Sequence, residues 1–220
     1  MRIAINGFGR IGRVFYKQAS SNPDFEIVAI NDLADKDNLL YLLEHDSVYG
    51  KFTLPEKIKD IKFLQEKDPA SLPWKDLDID IVVESTGFFD SYDKAKAHLD
   101  AGAKRVVITA PVKDDMALTF TPNVNAGDIS KSKITSNASC TTNAITPLIS
   151  ILAKNLGIKK AVLNTIHAYT ATQGIVDKPD AKDWRRGRAG TIDISPSSTG
   201  AAISAAKAIP EMKGIFDGVA

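Results

Sequence analysis

Along the first hundred residues, short β-branched runs alternate with stretches in which apolar side chains recur every three or four positions. Runs of the first kind suit strands buried on both faces, and stretches of the second kind suit helices laid across them. The spacing predicts strands over Arg2–Asn6, Glu26–Asn31, Asp80–Glu84 and Arg105–Thr109, with helices over Ile11–Ser20, Asp37–Glu44 and Ser91–Ala101 between them. Strict alternation of the two is the pattern of a doubly wound, parallel α/β sheet. Lys51–Pro73 mixes Lys, Asp and Pro with short apolar pairs and reads as an antiparallel edge or excursion. Thr119–Lys133 is polar and turn-rich, a loop before a short strand at Lys133–Ser136, and a domain boundary is expected near Asn137. Beyond it the pattern predicts a helix opening at Cys140, a strand over Lys160–His167 and a small-residue helix over Ala201–Ile209, stopped by Pro210. Between the last two, Ala168–Ser198 has no sustained period, and an irregular stretch of that length more often carries function than not.

Composition narrows the class. Apolar residues are 44% and charged residues 25% of the 220, enough for a sizeable core. A net charge of +1 supplies no bulk field for nucleic acid or a membrane surface. One cysteine forms no internal disulfide and no zinc cluster, so a reducing compartment is expected and no metal site is. The N-terminus becomes strand-like at once without a signal-peptide pattern, and no apolar run is long enough to span a bilayer; the expected location is cytoplasmic.

Two constellations carry chemistry. Gly7, Gly9 and Gly12 form G-x-G-x-x-G directly after the strand RIAIN and directly before a helix. The first glycine permits a tight turn, the second a close approach of backbone to a pyrophosphate, and the third close packing of helix on strand. Asp32 follows 20 residues beyond Gly12, at the end of EIVAIND, where its carboxylate can accept the adenosine ribose hydroxyls or simply cap a turn. A carboxylate there repels a 2′-phosphate, which favours NAD over NADP. The second constellation is Ser139-Cys140-Thr141-Thr142-Asn143, where the lone thiol opens a helix whose first-turn N–H groups stabilise a thiolate. A free cysteine is also commonly an inert core filler. His167, 27 residues on, is the candidate base, although a histidine at a strand end is often structural. His45 and His98, on predicted helices, are read as surface or structural residues. Hydroxyls of Ser139, Thr141, Thr170 and Thr199, the Gly200 backbone, and Arg185 and Arg186 suit phosphate groups.

Taken together, SNASCTTN, HAYTATQ, DWRRGRAG, SPSSTGAA, NGFGRIGR, AIND and VESTGFF closely resemble the phosphorylating glyceraldehyde-3-phosphate dehydrogenase family, over essentially the whole chain. The resemblance implies a Rossmann-type NAD domain at 1–137, then the first part of an α+β catalytic domain at 138–220. It implies a homotetramer and an oxidation of glyceraldehyde 3-phosphate, with NAD and inorganic phosphate, in glycolysis or gluconeogenesis. Cys140 matches the cysteine that attacks the aldehyde and His167 the histidine that activates it. Arg10 and Ile11 resemble pyrophosphate contacts, Asp32 the ribose ligand, Thr86 and Gly87 the groove wall, and Thr109 a residue near the nicotinamide. Ser139, Thr141, Thr199 and Gly200 resemble the site of the attacking phosphate, with Arg186 close by and Thr170 at the substrate's own phosphate. Tyr169–Ile194 resembles the family's inter-subunit loop, in which Pro179 accompanies NAD preference.

Two departures from the family's pattern stand out. Lys51–Lys62 is shorter than is usual, and the family continues about a hundred residues past the FDGVA at which this sequence stops. That predicts an incomplete catalytic domain, with apolar surface at Val162–Ile166 and on the Ala201–Ile209 helix left without a partner. An erythrose-4-phosphate dehydrogenase and a non-catalytic NAD-binding or interaction fragment are the alternatives.

Overall fold

A computed structural model describes residues 1–181 and 183–220. In chain order the first half gives β1 (Arg2–Asn6), α1 (Arg10–Ala19), β2 (Glu26–Asn31), α2 (Lys36–Glu44), β3 (His45–Asp46), β4 (Gly50–Lys51), β5 (Lys62–Leu64), β6 (Ile81–Glu84), α3 (Tyr92–Asp100), β7 (Arg105–Ile108), β8 (Leu118–Thr119) and β9 (Ile134–Ser136). Seven of these strands form one sheet in the order β5-β2-β1-β6-β7-β9-β8, with every pairing parallel. The strands and helices expected over Arg2–Thr109 fall within one residue of their observed bounds. Lys51–Pro73 differs from expectation. Its strand, β5, runs parallel to β2, and the antiparallel pairing present is the short β3–β4 hairpin before it. Three residues of alternation are too few to reveal strand direction.

The sheet has helices on both faces because its strands are apolar on both. One face buries Trp74, Ile79, Val82, Val106, Ile108 and Ile134; the other buries Ile5 and Ile30 against Phe8, Tyr16, Leu39 and Leu43. In α1, burial of Gly12, Arg13, Tyr16 and Ala19 traces the three-to-four-residue period that the sequence shows. Asp35 caps α2 by accepting the N–H groups of Asp37 and Asn38.

The chain separates into two compact units, residues 1–120 with 126–138, and 121–125 with 139–220. The second contains α4 (Cys140–Leu156), β10 (Ala161–Asn164), α5 (Ala201–Ala208) and β11 (Phe216–Val219). Ile149 of α4, Ala202, Ala205 and Ala208 of α5, and Phe216 of β11 form its core. β10 and β11 pair in parallel. β10 ends at Asn164, not at His167, because its partner ends at Val219, to whose carbonyl Thr165 gives the last N–H. Exposed apolar side chains stand where they were expected: Val162 and Ile166 are 75% and 93% exposed, and α5, which buries Ala202, Ala205 and Ala208 in the core, leaves Ile203 66% exposed.

Candidate active site

The first site lies where strand order reverses in the seven-stranded sheet, at the carboxyl ends of β1, β2 and β6, the place where α/β sheets hold ligands. A groove of about 490 Å³ there is lined by Gly7 and Gly9 after β1, Asp32 after β2, and Ser85 and Thr86 after β6. Gly7 has φ 90°, and a Cβ on it would stand 2.6 Å from the Thr86 nitrogen. A Cβ on Gly12 would stand 2.1 Å from the Gly7 carbonyl oxygen, so helix and strand close up only through glycine. Gly9 is the opposite case: nothing lies within 4 Å of where its Cβ would be, and α1 begins there without a side-chain cap. Open backbone beside an uncapped helix N-terminus is a cradle for a pyrophosphate, so these residues fit a dinucleotide.

Asp32 caps its own turn and stands at the groove. Its Oδ2 accepts the Phe8 N–H at 2.6 Å and its Oδ1 the Ala34 N–H at 2.9 Å, which aims a carboxylate with spare lone pairs along the groove. Arg10 Nη1 binds both oxygens of the buried Asp46 carboxylate at 2.9 Å and the guanidinium lies over the Tyr49 ring, which draws the side chain to the β3–β4 turn. Burial alone would raise the Asp46 pKa, but the N–H groups of Tyr49 and Val48 and the Arg10 guanidinium hold the carboxyl well below its ordinary range. Neither Arg10, Ile11, Gly12, Gly87 nor Thr109 lines the groove. Thr109 gives its hydroxyl to the Glu84 carbonyl at 3.0 Å. Asn6, Asn31, Glu66 and Lys67 line the groove, and sequence reasoning missed them. The signal for the first two was present, an amide ending a buried strand; the others follow β5, whose direction was not legible.

The second site belongs wholly to the second unit. Ser139 is the N-cap of α4, its Oγ accepting the Thr142 N–H at 3.0 Å, and Ala138 before it takes a left-handed φ of 57°. Cys140 is thereby the first helical residue, and its thiol is exposed. His167, three residues past β10, brings Nε2 to 3.4 Å from Sγ. Its Nδ1 donates to the Ala168 carbonyl at 2.6 Å, which fixes the ring and leaves Nε2 for the sulfur. Partial burial opposes the thiolate, but hydrogen bonds from His167 and from the Thr141 hydroxyl and N–H, together with the imidazole charge, outweigh it and hold the thiol below its ordinary pKa. The Ala168 carbonyl, then Cys140, raise the pKa of His167 against the opposing effect of burial. The two shifts favour a thiolate–imidazolium pair, the reactive form of a cysteine nucleophile.

Beside this pair lies a cavity of about 650 Å³ lined by His167, Thr141, Thr170, Arg186 and Thr199. Arg186 Nη2 donates to Thr172 Oγ1 at 2.9 Å, and that oxygen lies 3.0 Å from Thr170 Oγ1, so cation and hydroxyls form one polar wall. Thr199 Oγ1 accepts the Ala201 N–H and Gly200 is the N-cap of α5. Ser139 and Gly200 do not line the cavity, and Arg185 pairs with Asp183 instead. His98 is fully buried beside Glu84, and His45 caps α2 and stacks on Tyr41, so neither joins the thiol. Among the described residues no cluster could hold a metal ion and no helix is long and apolar enough to cross a membrane.

Comparison with known proteins shows the family. Residues 1–92 match the model of the glyceraldehyde 3-phosphate dehydrogenase NAD binding domain, and residues 139–220 that of the C-terminal domain of the same enzyme. The chain is 50% identical over 232 residues to glyceraldehyde-3-phosphate dehydrogenase of Chlamydia muridarum, covering 100% of this chain and 69% of that one. It is 44% identical over 229 residues to glyceraldehyde-3-phosphate dehydrogenase A of Escherichia coli strain K12, again covering 100% of this chain and 69% of the relative. A glycine-cradled groove, a helix-opening cysteine paired with histidine, and identity of this extent along the whole sequence place the chain in the glyceraldehyde-3-phosphate dehydrogenase family.

Proposed function

We propose that the chain carries the NAD site and the nucleophile of a phosphorylating glyceraldehyde-3-phosphate dehydrogenase, which converts glyceraldehyde 3-phosphate to 1,3-bisphosphoglycerate. The observation that carries this reading is the 3.4 Å approach of His167 Nε2 to Cys140 Sγ at the start of α4. The Cys140 thiolate adds to the aldehyde carbon, the carbonyl π pair moves to oxygen, and the His167 imidazolium gives its Nε2 proton to that oxygen, forming the thiohemiacetal hydroxyl and leaving Nε2 free as a base. His167 Nε2 then takes that hydroxyl proton. Bound NAD supplies the two-electron acceptor that turns the thiohemiacetal into a thioester. An oxygen of inorganic phosphate next attacks the thioester carbon, the C–S bond breaks, and Cys140 leaves as thiolate.

The acyl oxygen would develop its negative charge at the N-terminus of α4, whose dipole favours it. Thr170 would hold the substrate phosphate, and Ser139, Thr141, Thr199 and Gly200 the attacking one, with Arg186 close by. The polar wall shared by Thr170, Thr172 and Arg186 supports the first assignment. NAD would lie on Gly7, Gly9, the Arg10 and Ile11 backbone and Asp32, with Gly12 closing the turn and Thr86, Gly87 and Thr109 beyond it. The domains are read as 1–137 for the cofactor and 138–220 for the chemistry. The working state is a homotetramer in the cytoplasm.

The test is NADH formation, followed by absorbance, with each reactant omitted in turn and Cys140→Ser as the control. Dependence on NAD, phosphate and glyceraldehyde 3-phosphate, lost in the control, is the expected result. NAD binding with no turnover, in a chain extended to the length of its relatives, would refute it.

A further inference from the structure

Beneath the dinucleotide groove lies a buried ionisable pair that the reaction does not use. Glu84, the last residue of β6, and His98 of α3 have side chains 1% and 0% exposed, with Oε2 and Nε2 3.0 Å apart. Trp74 Nε1 lies 3.0 Å from His98 Nδ1. An indole N–H only donates, so Nδ1 accepts and the imidazole hydrogen sits on Nε2, facing the carboxylate. Glu84 Oε2 also accepts from Asn6 Nδ2 at 2.6 Å, and Oε1 accepts from the Thr86 N–H at 2.8 Å and the Thr86 hydroxyl at 2.5 Å. Four donors thus converge on one buried carboxylate, the arrangement that satisfies an anion.

That anion dictates polarity in two directions. It only accepts, so the Thr86 hydroxyl hydrogen is committed to it, while Oγ1 accepts the Phe88 N–H at 3.1 Å. Towards the groove Thr86 therefore offers a lone pair and no hydrogen. Asn6 must likewise turn its NH₂ to Glu84, which leaves its Oδ1 for Asn31 Nδ2 at 2.7 Å. Asn31 is thereby oriented as well: it donates to the Glu66 carbonyl at 2.8 Å and its Oδ1 accepts the Glu66 N–H at 2.8 Å. Thr86, Asn6, Asn31 and Glu66 all line the groove.

We propose that Glu84 is the positioning residue of this groove, a buried anion braced by His98 that sets the hydrogen-bonding polarity of Thr86 and, through Asn6 and Asn31, the placement of Glu66. The assignment rests on the reading of the groove as the NAD site. Calorimetric titration of NAD into the full chain tests it, using Glu84→Gln, Asn31→Ser and the double variant, with thermal unfolding alongside. Glutamine keeps the shape but can turn an NH₂ towards Thr86 or Asn6, so Glu84→Gln is expected to weaken NAD about tenfold. Asn31→Ser cuts the same relay further along, so it is expected to weaken NAD about threefold, and the double variant stays within about twofold of Glu84→Gln.

Wild-type affinity in Glu84→Gln overturns the assignment alone, and so do single effects that simply multiply in the double variant. If Glu84→Gln does not fold, unchanged affinity in a folded Asn31→Ser overturns it, and weakening there, with binding of 5′-AMP weakened in parallel, upholds it. A wild-type chain that binds no NAD overturns the groove reading and the assignment with it.

Discussion

At the scale of single residues, the second site turns on a thiol whose neighbours decide its state. Cys140 was legible as a candidate because it opens an apolar helix behind a Ser cap, both visible in the string. That His167 reaches it was not, since 27 residues of chain and an irregular turn after β10 decide where the imidazole lands. The lowered Cys140 pKa and raised His167 pKa fix the sign of a pH experiment. The thiolate is populated at lower pH than in a free cysteine, so the iodoacetamide rate should rise with a midpoint below the ordinary ~8.5. His167→Asn should move that midpoint upward, towards the free value. Mass spectrometry of the alkylated chain reads both, and a midpoint unchanged by His167→Asn would count against the pairing.

At the scale of elements, the glycine motif separates two functions that the sequence lists together. Gly12→Ala places a methyl 2.1 Å from a backbone oxygen, so a loss of stability at the upper end of the overpacking range, about 3 kcal/mol, is expected by denaturant unfolding. Gly9→Ala meets nothing within 4 Å; its midpoint should stay near wild type while NAD affinity falls, because the added methyl occupies the cradle. Equal destabilisation by the two would contradict this division. The Asp46 carboxylate, which holds Arg10 and the β3–β4 turn, supplies a pH-dependent contribution. Its folded pKa is depressed, so that contribution is present above the unfolded carboxylate value and is lost as pH falls through the folded one. Asp46→Ala should therefore cost about 2 kcal/mol at neutral pH, by unfolding titration, and less under acid.

The parallel sheet was legible because its strands are apolar on both faces and its helices keep their period. The edge was not: β5 and β8 have three and two residues, too few for a period, and β11 is recognisable only through its partner β10. The alternation in Lys160–His167 continues past Asn164, but pairing ends where β11 does.

At the scale of the whole molecule, each unit has its own buried core, and the second keeps large apolar side chains in solvent. Trp184, Ile192 and Ile194 in the long irregular segment are 85%, 87% and 91% exposed, and Leu148 and Ile151 on α4 are 51% and 59% exposed. Apolar exposure of this kind marks surfaces meant for association, in keeping with the proposed tetramer. Trp74 is fully buried, so Trp184 dominates quenching by acrylamide; its quenching should fall on assembly, as followed by sedimentation at rising protein concentration. Quenching that stays constant through assembly would place this segment outside the interface.

The most direct test of the central claim is a single turnover with NAD and glyceraldehyde 3-phosphate but no phosphate, quenched in acid and read by peptide mass spectrometry. An acyl group on Cys140 that disappears when phosphate is added is the expected result. Turnover with no acyl group on Cys140, or with the group on another residue, would contradict it.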